Sequence, residues 1–301
     1  MKSSVADWLE AFRLRTLPLS LASIGMGSFL AASYGHFDPI ILTLCITTTI
    51  FLQVLSNLAN DYGDSKHGAD SEDRLGPSRS VQAGKITAKA MKNAMILFVI
   101  LSLVSGIGLL YYSLGVEKIL YFLIFLVLGI LSIGAAITYT AGSKPYGYAG
   151  LGDISVMIFF GWVGVAGTFY LFTESFSWDI LLPASSCGFF ATAVLNINNI
   201  RDIESDKKAG KRSIPVRIGA TKARFYHLLL LISGLVTAFG YVILHYQTAY
   251  QFLFLLVLPF LGLNIKAVYT KKSPSELDPF LKQMALTSLL FVMSFGIGQI
   301  I

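Results

Sequence analysis

The sequence predicts an all-α polytopic membrane protein, in which nine transmembrane helices surround a central cavity and the N-terminus is cytoplasmic. Hydrophobic residues make up 54% of the 301 residues and charged residues only 13%, which is more apolar surface than one soluble core can bury. Apolar runs of about 18 to 25 residues, long enough to cross a ~30 Å hydrocarbon layer, recur along the chain. Basic residues, in addition, are concentrated in alternate connections between these runs.

The nine predicted spans follow the apolar runs and together form one transmembrane domain, residues 1–301. They cover 16–34, 38–60, 90–112, 119–140, 151–172, 180–199, 225–245, 250–269 and 281–300. Before the first span, the segment from Trp8 to Pro18 is expected to lie along the membrane interface, because its tryptophan and arginines favour that position. No apolar stretch followed by a cleavage site stands at the N-terminus, so no removable signal peptide is expected.

The basic residues determine the predicted orientation. With these spans and an interior N-terminus, every Lys and Arg except Lys118 falls on the inner side, which is the positive-inside pattern. The lipid bilayer therefore accounts for the net charge of +6, and no nucleic-acid partner is expected. The two cysteines lie in predicted spans and the four histidines are scattered, so neither a disulfide framework nor a zinc site is predicted.

Two acidic clusters at span ends are the candidate chemical centre. Asn57, Asp61 and Asp64 are spaced i, i+4 and i+7, so on a helix their oxygen-bearing side chains share one face. A second cluster follows span six, and its members Asn199, Asp202 and Asp206 are again expected on one face. Carboxylates at a membrane helix end normally face a cavity or the bundle interior. Helices two and six are therefore expected to be neighbours whose acidic ends face each other.

The two clusters predict a metal–diphosphate site. Mg²⁺ prefers a few carboxylates together with substrate phosphate oxygens. Two such ions would screen a diphosphate from four carboxylates, and Arg79, Lys211 and Arg212 would offset the remaining negative charge. An allylic diphosphate with its leaving group neutralised in this way can ionise to a carbocation. The asparagines admit a second reading, as interhelical hydrogen-bonding residues.

Two long inner loops flank these clusters. The loop after span two carries Asp70 and Asp73, and the sequence leaves open whether either of them joins the metal site. The loop between spans four and five is rich in glycine and tyrosine, from Tyr139 to Asp153, and contains Lys144. Its tyrosines could equally form an interfacial aromatic belt, and Lys144 a topology determinant.

At these residues the chain resembles the UbiA superfamily of intramembrane prenyltransferases. The family pattern Asn-x-x-x-Asp-x-x-Asp matches Asn57, Asp61 and Asp64, and its second pattern Asp-x-x-x-Asp matches Asp202 and Asp206. The resemblance covers essentially the whole chain and is greatest to the MenA-type branch, the 1,4-dihydroxy-2-naphthoate polyprenyltransferases. That branch is indicated by four segments of this chain: 13–18, 57–64, 139–153 and 198–202.

The resemblance implies Mg²⁺-dependent transfer of a polyprenyl group from polyprenyl diphosphate to 1,4-dihydroxy-2-naphthoate, with loss of CO2, giving demethylmenaquinone in menaquinone biosynthesis. It implies a multi-pass protein of the bacterial inner membrane with its active site towards the cytoplasm. The expected roles are metal ligation and catalysis by the two acidic clusters, diphosphate binding by the four basic residues, and contact with the aromatic acceptor by two others. The metal ligands are Asn57, Asp61, Asp64, Asn199, Asp202 and Asp206, with the four aspartates also catalytic; the diphosphate ligands are Arg79, Lys144, Lys211 and Arg212; the acceptor contacts are Arg15 and Tyr139.

Three other functions share part of this pattern. Another aromatic acceptor, such as 4-hydroxybenzoate, would leave the same acidic clusters in place. A phosphatidyl-type transferase is disfavoured because its acids stand in a single run, whereas here two clusters lie far apart. A secondary transporter is disfavoured because its ionisable residues lie near the midplane, often in paired repeats. Prenyl chain length and oligomeric state have no signature in the sequence.

Overall fold

The computed structural model describes residues 3–67 and 79–301, and within them the ordered elements are all helical. Nine of these helical segments are long and apolar enough to cross a membrane, as the sequence predicts. The elements are α1 (Val5–Phe12), α2 (Leu17–Ser33), α3 (Pro39–His67), α4 (Ala88–Leu114), α5 (Ile119–Thr138), α6 (Gly152–Thr173), α7 (Leu181–Arg201), α8 (Ile203–Lys208), α9 (Ile214–Leu244), α10 (Ala249–Thr270) and α11 (Asp278–Ile300).

The helices extend beyond the predicted spans at their inner ends. Helix α3 continues past residue 60 to His67, so its acidic cluster belongs to one unbroken helix. Helix α9 begins at Ile214 instead of residue 225, with Pro215 in its first turn and a kink at Gly219, where φ is 81°. An apolar run marks the stretch in contact with lipid, whereas a helix continues wherever backbone hydrogen bonds and caps permit. Hydropathy therefore underestimates the length of α3 and of α9 at their inner ends.

The packing order explains where a cavity forms. Helix α7 packs against α6, α9 and α11, while α3 packs against α4, α5 and α2. Direct packing between α3 and α7 is slight among the described residues, so the expectation that they are neighbouring helices is wrong in that sense. They stand on either side of a cavity instead, and only their inner ends approach each other.

The cavity has a volume of about 410 Å³ and is lined by residues of α2 to α6, Tyr139, Tyr146 and Leu195 of α7. Its wall is largely apolar, with neutral polar side chains at the inner end. Asn57, Asn60 and Tyr139 line that end, directly beneath the acidic end of α3. The central cavity expected from the sequence is therefore present.

A small apolar cluster fixes the inner end of α3. Ala11 of α1, Leu58 of α3, Ile86 and Met91 are all buried in it. Because these residues come from α1, α3, α4 and the connection before α4, their packing holds the interfacial helix and the chain around residue 80 against the acidic residues.

Candidate functional site

Asp64 lies one helical turn beyond Asn60, which lines the inner end of the cavity, and it faces Asp206 at what we call the mouth; a lysine joins the two carboxylates. The Nζ of Lys211 lies 3.2 Å from Oδ1 of Asp64 and 3.7 Å from Oδ1 of Asp206. The two carboxylate oxygens are therefore at most about 7 Å apart, since both are near the same nitrogen. The acidic ends of α3 and of the α7–α8 region thus converge, although the helices themselves do not pack together.

Asp64 has further donors around it. Arg79 forms a buried salt bridge with its Oδ2, and the hydroxyl of Tyr148 donates to its Oδ1 at 3.1 Å. The Lys211 ammonium lies 4.9 Å from the centre of the Tyr148 ring, a distance typical of a cation–π contact. A buried carboxylate needs such compensation, so Arg79, Lys211 and Tyr148 form one charged unit with Asp64.

Asp61 is satisfied mainly by backbone amides. The N–H of Ser80 donates to its Oδ2 at 2.8 Å and the N–H of Val81 to its Oδ1 at 3.0 Å. The chain that returns after the first inner loop is therefore attached to the acidic cluster one helical turn before Asp64. This contact brings Arg79 into reach of Asp64.

The second cluster is not one continuous helical face. Asp202 ends α7 with φ −99° and ψ 13°, and α8 begins at the next residue. Asn199 and Asp206 consequently lie on separate helices, which corrects the predicted common face: a break at Asp202 changes the helical phase. Asp202 accepts two hydrogen bonds at 2.7 Å from the buried guanidinium of Arg201, which also pairs with Asp278 at the start of α11.

The asparagines make interhelical contacts. The amide nitrogen of Asn57 donates to the carbonyl of Phe12 at 2.9 Å and to the hydroxyl of Thr16 at 3.0 Å. Asn196 donates to the carbonyl of Ala223 in α9 at 3.0 Å. Asn199 is buried at the inner end of α7, one turn before Asp202.

The loop between α5 and α6 is the spacer between the two acidic ends. On one side the loop packs tightly against Gly63 of α3. A Cβ atom added to Gly63 would lie 2.5 Å from the carbonyl group of Thr140 in the loop. On the other side the backbone N–H of Arg212 donates to the carbonyl of Tyr148 at 2.9 Å. Gly150, with φ 80°, leaves room for the carbonyl of Arg212. The loop thus carries Tyr148 to a position between Asp64 and Lys211.

The other predicted binding residues are distributed differently. Side chains of Arg15, Lys144 and Arg212 are exposed, whereas Tyr139 lines the cavity. Desolvation by burial raises the pKa of Tyr139, as do the neighbouring Tyr146 and the carboxylates around it. Tyr139 is thus a neutral phenol at physiological pH, able to donate a hydrogen bond into the cavity. It packs edge-on against Tyr146, so these tyrosines face the interior and are not a lipid-facing belt.

Three of the four aspartates form ion pairs with basic side chains and are not arranged as a preformed metal-binding site. Within residues 3–67 and 79–301, no three side chains of His, Cys, Asp or Glu come together as a ready metal site. Electrostatics explains this, because Lys211, Arg79 and Arg201 lie beside three of the four aspartates. The candidate ligands Asp70 and Asp73 lie outside the described residues.

Sequence reasoning missed four contributors to this site. Tyr148 bridges the two halves, Arg201 and Asp278 hold Asp202, and Thr140 donates to the carbonyl of Ala59 and to Asn60 of α3. One signal was available, namely the closely spaced glycines at 142, 147, 150 and 152. Glycines at such density permit close backbone approach, which is what this loop makes on both sides.

Comparison with known proteins agrees with this architecture. The UbiA prenyltransferase family model matches residues 20–290. The chain is 48% identical to a 1,4-dihydroxy-2-naphthoate octaprenyltransferase of Haemophilus influenzae, covering 98% of this chain and 96% of that protein. It is 46% identical to the Escherichia coli protein of the same name, covering 99% and 97%.

A solved structure shares the fold. A UbiA homolog from Archaeoglobus fulgidus, bound to DMAPP and Mg²⁺, superposes with a TM-score of 0.59 at 18% identity, covering 95% of this chain and 98% of that one. The family model spans most of the chain, including both acidic helix ends and the cavity between them. The chain therefore belongs to the UbiA prenyltransferase family.

Proposed function

We propose that this protein transfers a polyprenyl group from polyprenyl diphosphate to 1,4-dihydroxy-2-naphthoate, in a reaction that requires Mg²⁺ and releases CO2. The bond between the prenyl C1 and its oxygen breaks, and its electron pair leaves with diphosphate. The ring carbon that bears the carboxylate forms the new bond to C1. The carboxylate leaves as CO2 and returns its bonding pair to the ring, which gives the hydroquinone form of demethylmenaquinone without an external oxidant.

The observation that carries this proposal is the convergence of Asp64, Asp206 and Lys211 just beyond the inner end of the apolar cavity, one helical turn past the cavity-lining Asn60. A prenyl diphosphate has one highly charged end and one apolar end. The cavity wall suits the isoprenoid chain, and the charged mouth suits the diphosphate.

The residues at the mouth fit a bound Mg²⁺. The ion takes one or two carboxylates plus phosphate oxygens and waters, and Asp64 and Asp206 supply carboxylates from opposite sides of the Lys211 ammonium. Asp61 and Asp202 stand one turn away on either side, and Asn199 precedes Asp202. When bound, the metal would neutralise the departing diphosphate.

The chain's own residues do the remaining work in this proposal. Lys211 and Arg79 each carry a positive charge already directed at the mouth, so they stabilise the negative charge that grows on the leaving group. Exposed Arg212 and Lys144 add to the positive field around the mouth. The neutral hydroxyls of Tyr139 and Tyr146 line the cavity below the mouth, where they can orient an aromatic ring and its hydroxyl groups.

The acceptor is assigned from the two relatives at 48% and 46% identity, both named for 1,4-dihydroxy-2-naphthoate. At such identity over almost the full length, the cavity wall is expected to be shared. The same relatives suggest an octaprenyl donor. By this proposal the protein works in the inner membrane, with the mouth of the cavity towards the cytoplasm.

The proposal is tested with purified protein in detergent, Mg²⁺ and octaprenyl diphosphate, offered 1,4-dihydroxy-2-naphthoate beside 4-hydroxybenzoate. We expect a prenylated naphthohydroquinone whose mass lacks the carboxyl group, one CO2 per product, and no product in excess chelator. Prenylation of 4-hydroxybenzoate in preference, or a product that retains its carboxyl group, would contradict the assigned acceptor chemistry.

A further inference from the structure

The amide of Asn57 is the feature from which this inference starts. Asn57 is only 4% exposed, and its Nδ2 donates to the carbonyl of Phe12 at 2.9 Å and to the hydroxyl of Thr16 at 3.0 Å. Both partners are acceptors in these contacts, so the orientation of the amide is determined: nitrogen towards the N-terminal segment, oxygen towards Gln53. Gln53 donates to that oxygen at the long distance of 3.4 Å.

The partners of Asn57 lie at a corner of the chain. Helix α1 ends at Phe12, Arg13 adopts a left-handed conformation with φ 49°, and α2 begins at Leu17. The carbonyl of Phe12 is one of the last in α1 and has no partner within its own helix. Thr16 in turn donates to the carbonyl of Arg13 at 3.0 Å. Asn57 therefore closes the turn between the interfacial helix and the first span.

The helix on the other side of this turn faces the membrane surface. Val5 is 78% exposed, Leu9 50% and Leu14 47%, next to the basic residues Arg13 and Arg15. Such an apolar face beside basic residues lies in the headgroup region of a bilayer. Lys85 pairs with Glu10 at 2.6 Å, which attaches the same helix to the connection before α4.

The span that follows the turn forms part of the cavity wall. Ser20, Ser23 and Ile24 of α2 line the cavity opposite α3, and Asn57 itself lines it. A change in the Phe12–Thr16 corner would shift this wall relative to α3, because α2 starts directly after the corner. The conformation of this corner therefore determines how the membrane-surface helix and the α2 wall of the cavity lie relative to each other.

We infer that Asn57 is a positioning residue whose amide hydrogens, and not its oxygen, account for its contribution to the proposed reaction. It holds α1 and the start of α2 against the acidic helix, so that the cavity keeps its width. This inference rests on the proposed prenyl transfer, and it departs from the expectation that Asn57 ligates the metal.

Asn57→Asp separates the two roles, because aspartate keeps an oxygen ligand and gains a charge but loses both amide hydrogens at neutral pH. If Asn57 positions the chain, Asn57→Asp and Asn57→Ala both raise the KM for the naphthoate about five- to tenfold, the effect expected for a lost hydrogen-bonding contact. Half-saturating Mg²⁺ stays within about twofold of wild type in both variants, since no metal ligand is lost.

A spin label at Ala6→Cys gives a readout independent of activity, because Ala6 is exposed and both native cysteines are buried. We expect a more mobile label in both Asn57 variants and in Thr16→Val, but not in Thr16→Ser, which keeps the hydroxyl. Asn57→Ala combined with Thr16→Val should have little more effect than either change alone.

The inference is overturned if Asn57→Asp keeps a wild-type label spectrum and wild-type KM, or if Asn57→Ala weakens Mg²⁺ saturation while the label is unchanged. Absence of naphthoate prenylation by wild-type protein would contradict the proposed function instead. The label measurement would still decide whether Asn57 holds α1 and the start of α2 in place.

Discussion

At the scale of single residues, the site is a balance between buried carboxylates and the cations and donors that compensate them. Asp64, buried in the structure, is contacted by Arg79, Lys211 and Tyr148. Removal of one member of such a set leaves the others uncompensated, which costs more than the interaction itself contributes. Substitutions here are therefore expected to affect activity strongly.

The first prediction concerns the two facing aspartates. Asp64→Asn and Asp206→Asn should each lower kcat/KM by about 100-fold or more, because each removes a carboxylate from the proposed metal–diphosphate site. Prenylation rates with naphthoate and octaprenyl diphosphate measure this. Asp38→Asn is the matched control, since Asp38 caps the outer start of α3 at 2.7 Å and asparagine caps equally well. Near-wild-type turnover by either site variant would argue against the proposed site.

The second prediction concerns Tyr148. Its hydroxyl donates to a buried carboxylate, an interaction that contributes about 1.5–3 kcal/mol, so Tyr148→Phe should lower kcat/KM by about 10- to 100-fold. Tyr112→Phe removes a similar hydroxyl–carboxylate contact, to Asp38 at 3.0 Å on the outer side, and should leave turnover unchanged. Equal effects of both changes would assign the loss to general destabilisation.

At the scale of elements, the hydropathy pattern predicted the nine spans because run length is a local property, readable without knowledge of neighbours. The acidic cluster of α3 was likewise predictable, since it lies within one helix. The residues of the second cluster were predictable too, but their arrangement was not, because the helix breaks at Asp202, whose carboxylate is held by Arg201, and Arg201 pairs with Asp278, 77 residues further along the chain. Tyr148 acquires its role only when the α5–α6 loop returns between two helix ends, and no local pattern reports such a contact.

The third prediction tests that loop contact. Gly63→Ala should lower thermal stability, by about 1–3 kcal/mol for overpacking, because its Cβ would stand 2.5 Å from the backbone carbonyl of Thr140. It should also lower activity, since the neighbouring Asp64 moves with the helix. Gly134→Ala is the control: a Cβ there meets nothing within 4 Å, and alanine favours the helix. Melting curves and turnover of both variants decide the matter, and equal stability of the two would contradict the close contact.

At the scale of the whole molecule, the charged site and the apolar cavity occupy different levels of the helix bundle. The acidic ends, the spacer loop and the cations that pair with them all lie at one end of the bundle, while the apolar cavity runs away from it between α2 and α6. The nine candidate spans within residues 3–67 and 79–301 would place residues 3 and 301 on opposite faces of a membrane. The distribution of Lys and Arg then predicts that the charged end faces the cytoplasm, the side on which the proposed function places the mouth.

The fourth prediction tests this orientation by cysteine labelling in intact cells. Ser143 is exposed in the spacer loop beside the charged mouth, and Val116, 67% exposed, lies in a connection at the other face. Background labelling should be low, because Cys45 and Cys187 are both buried. A membrane-impermeant maleimide should label Val116→Cys in intact cells but Ser143→Cys only after lysis. The reverse pattern would place the mouth outside the cell and contradict the proposed orientation.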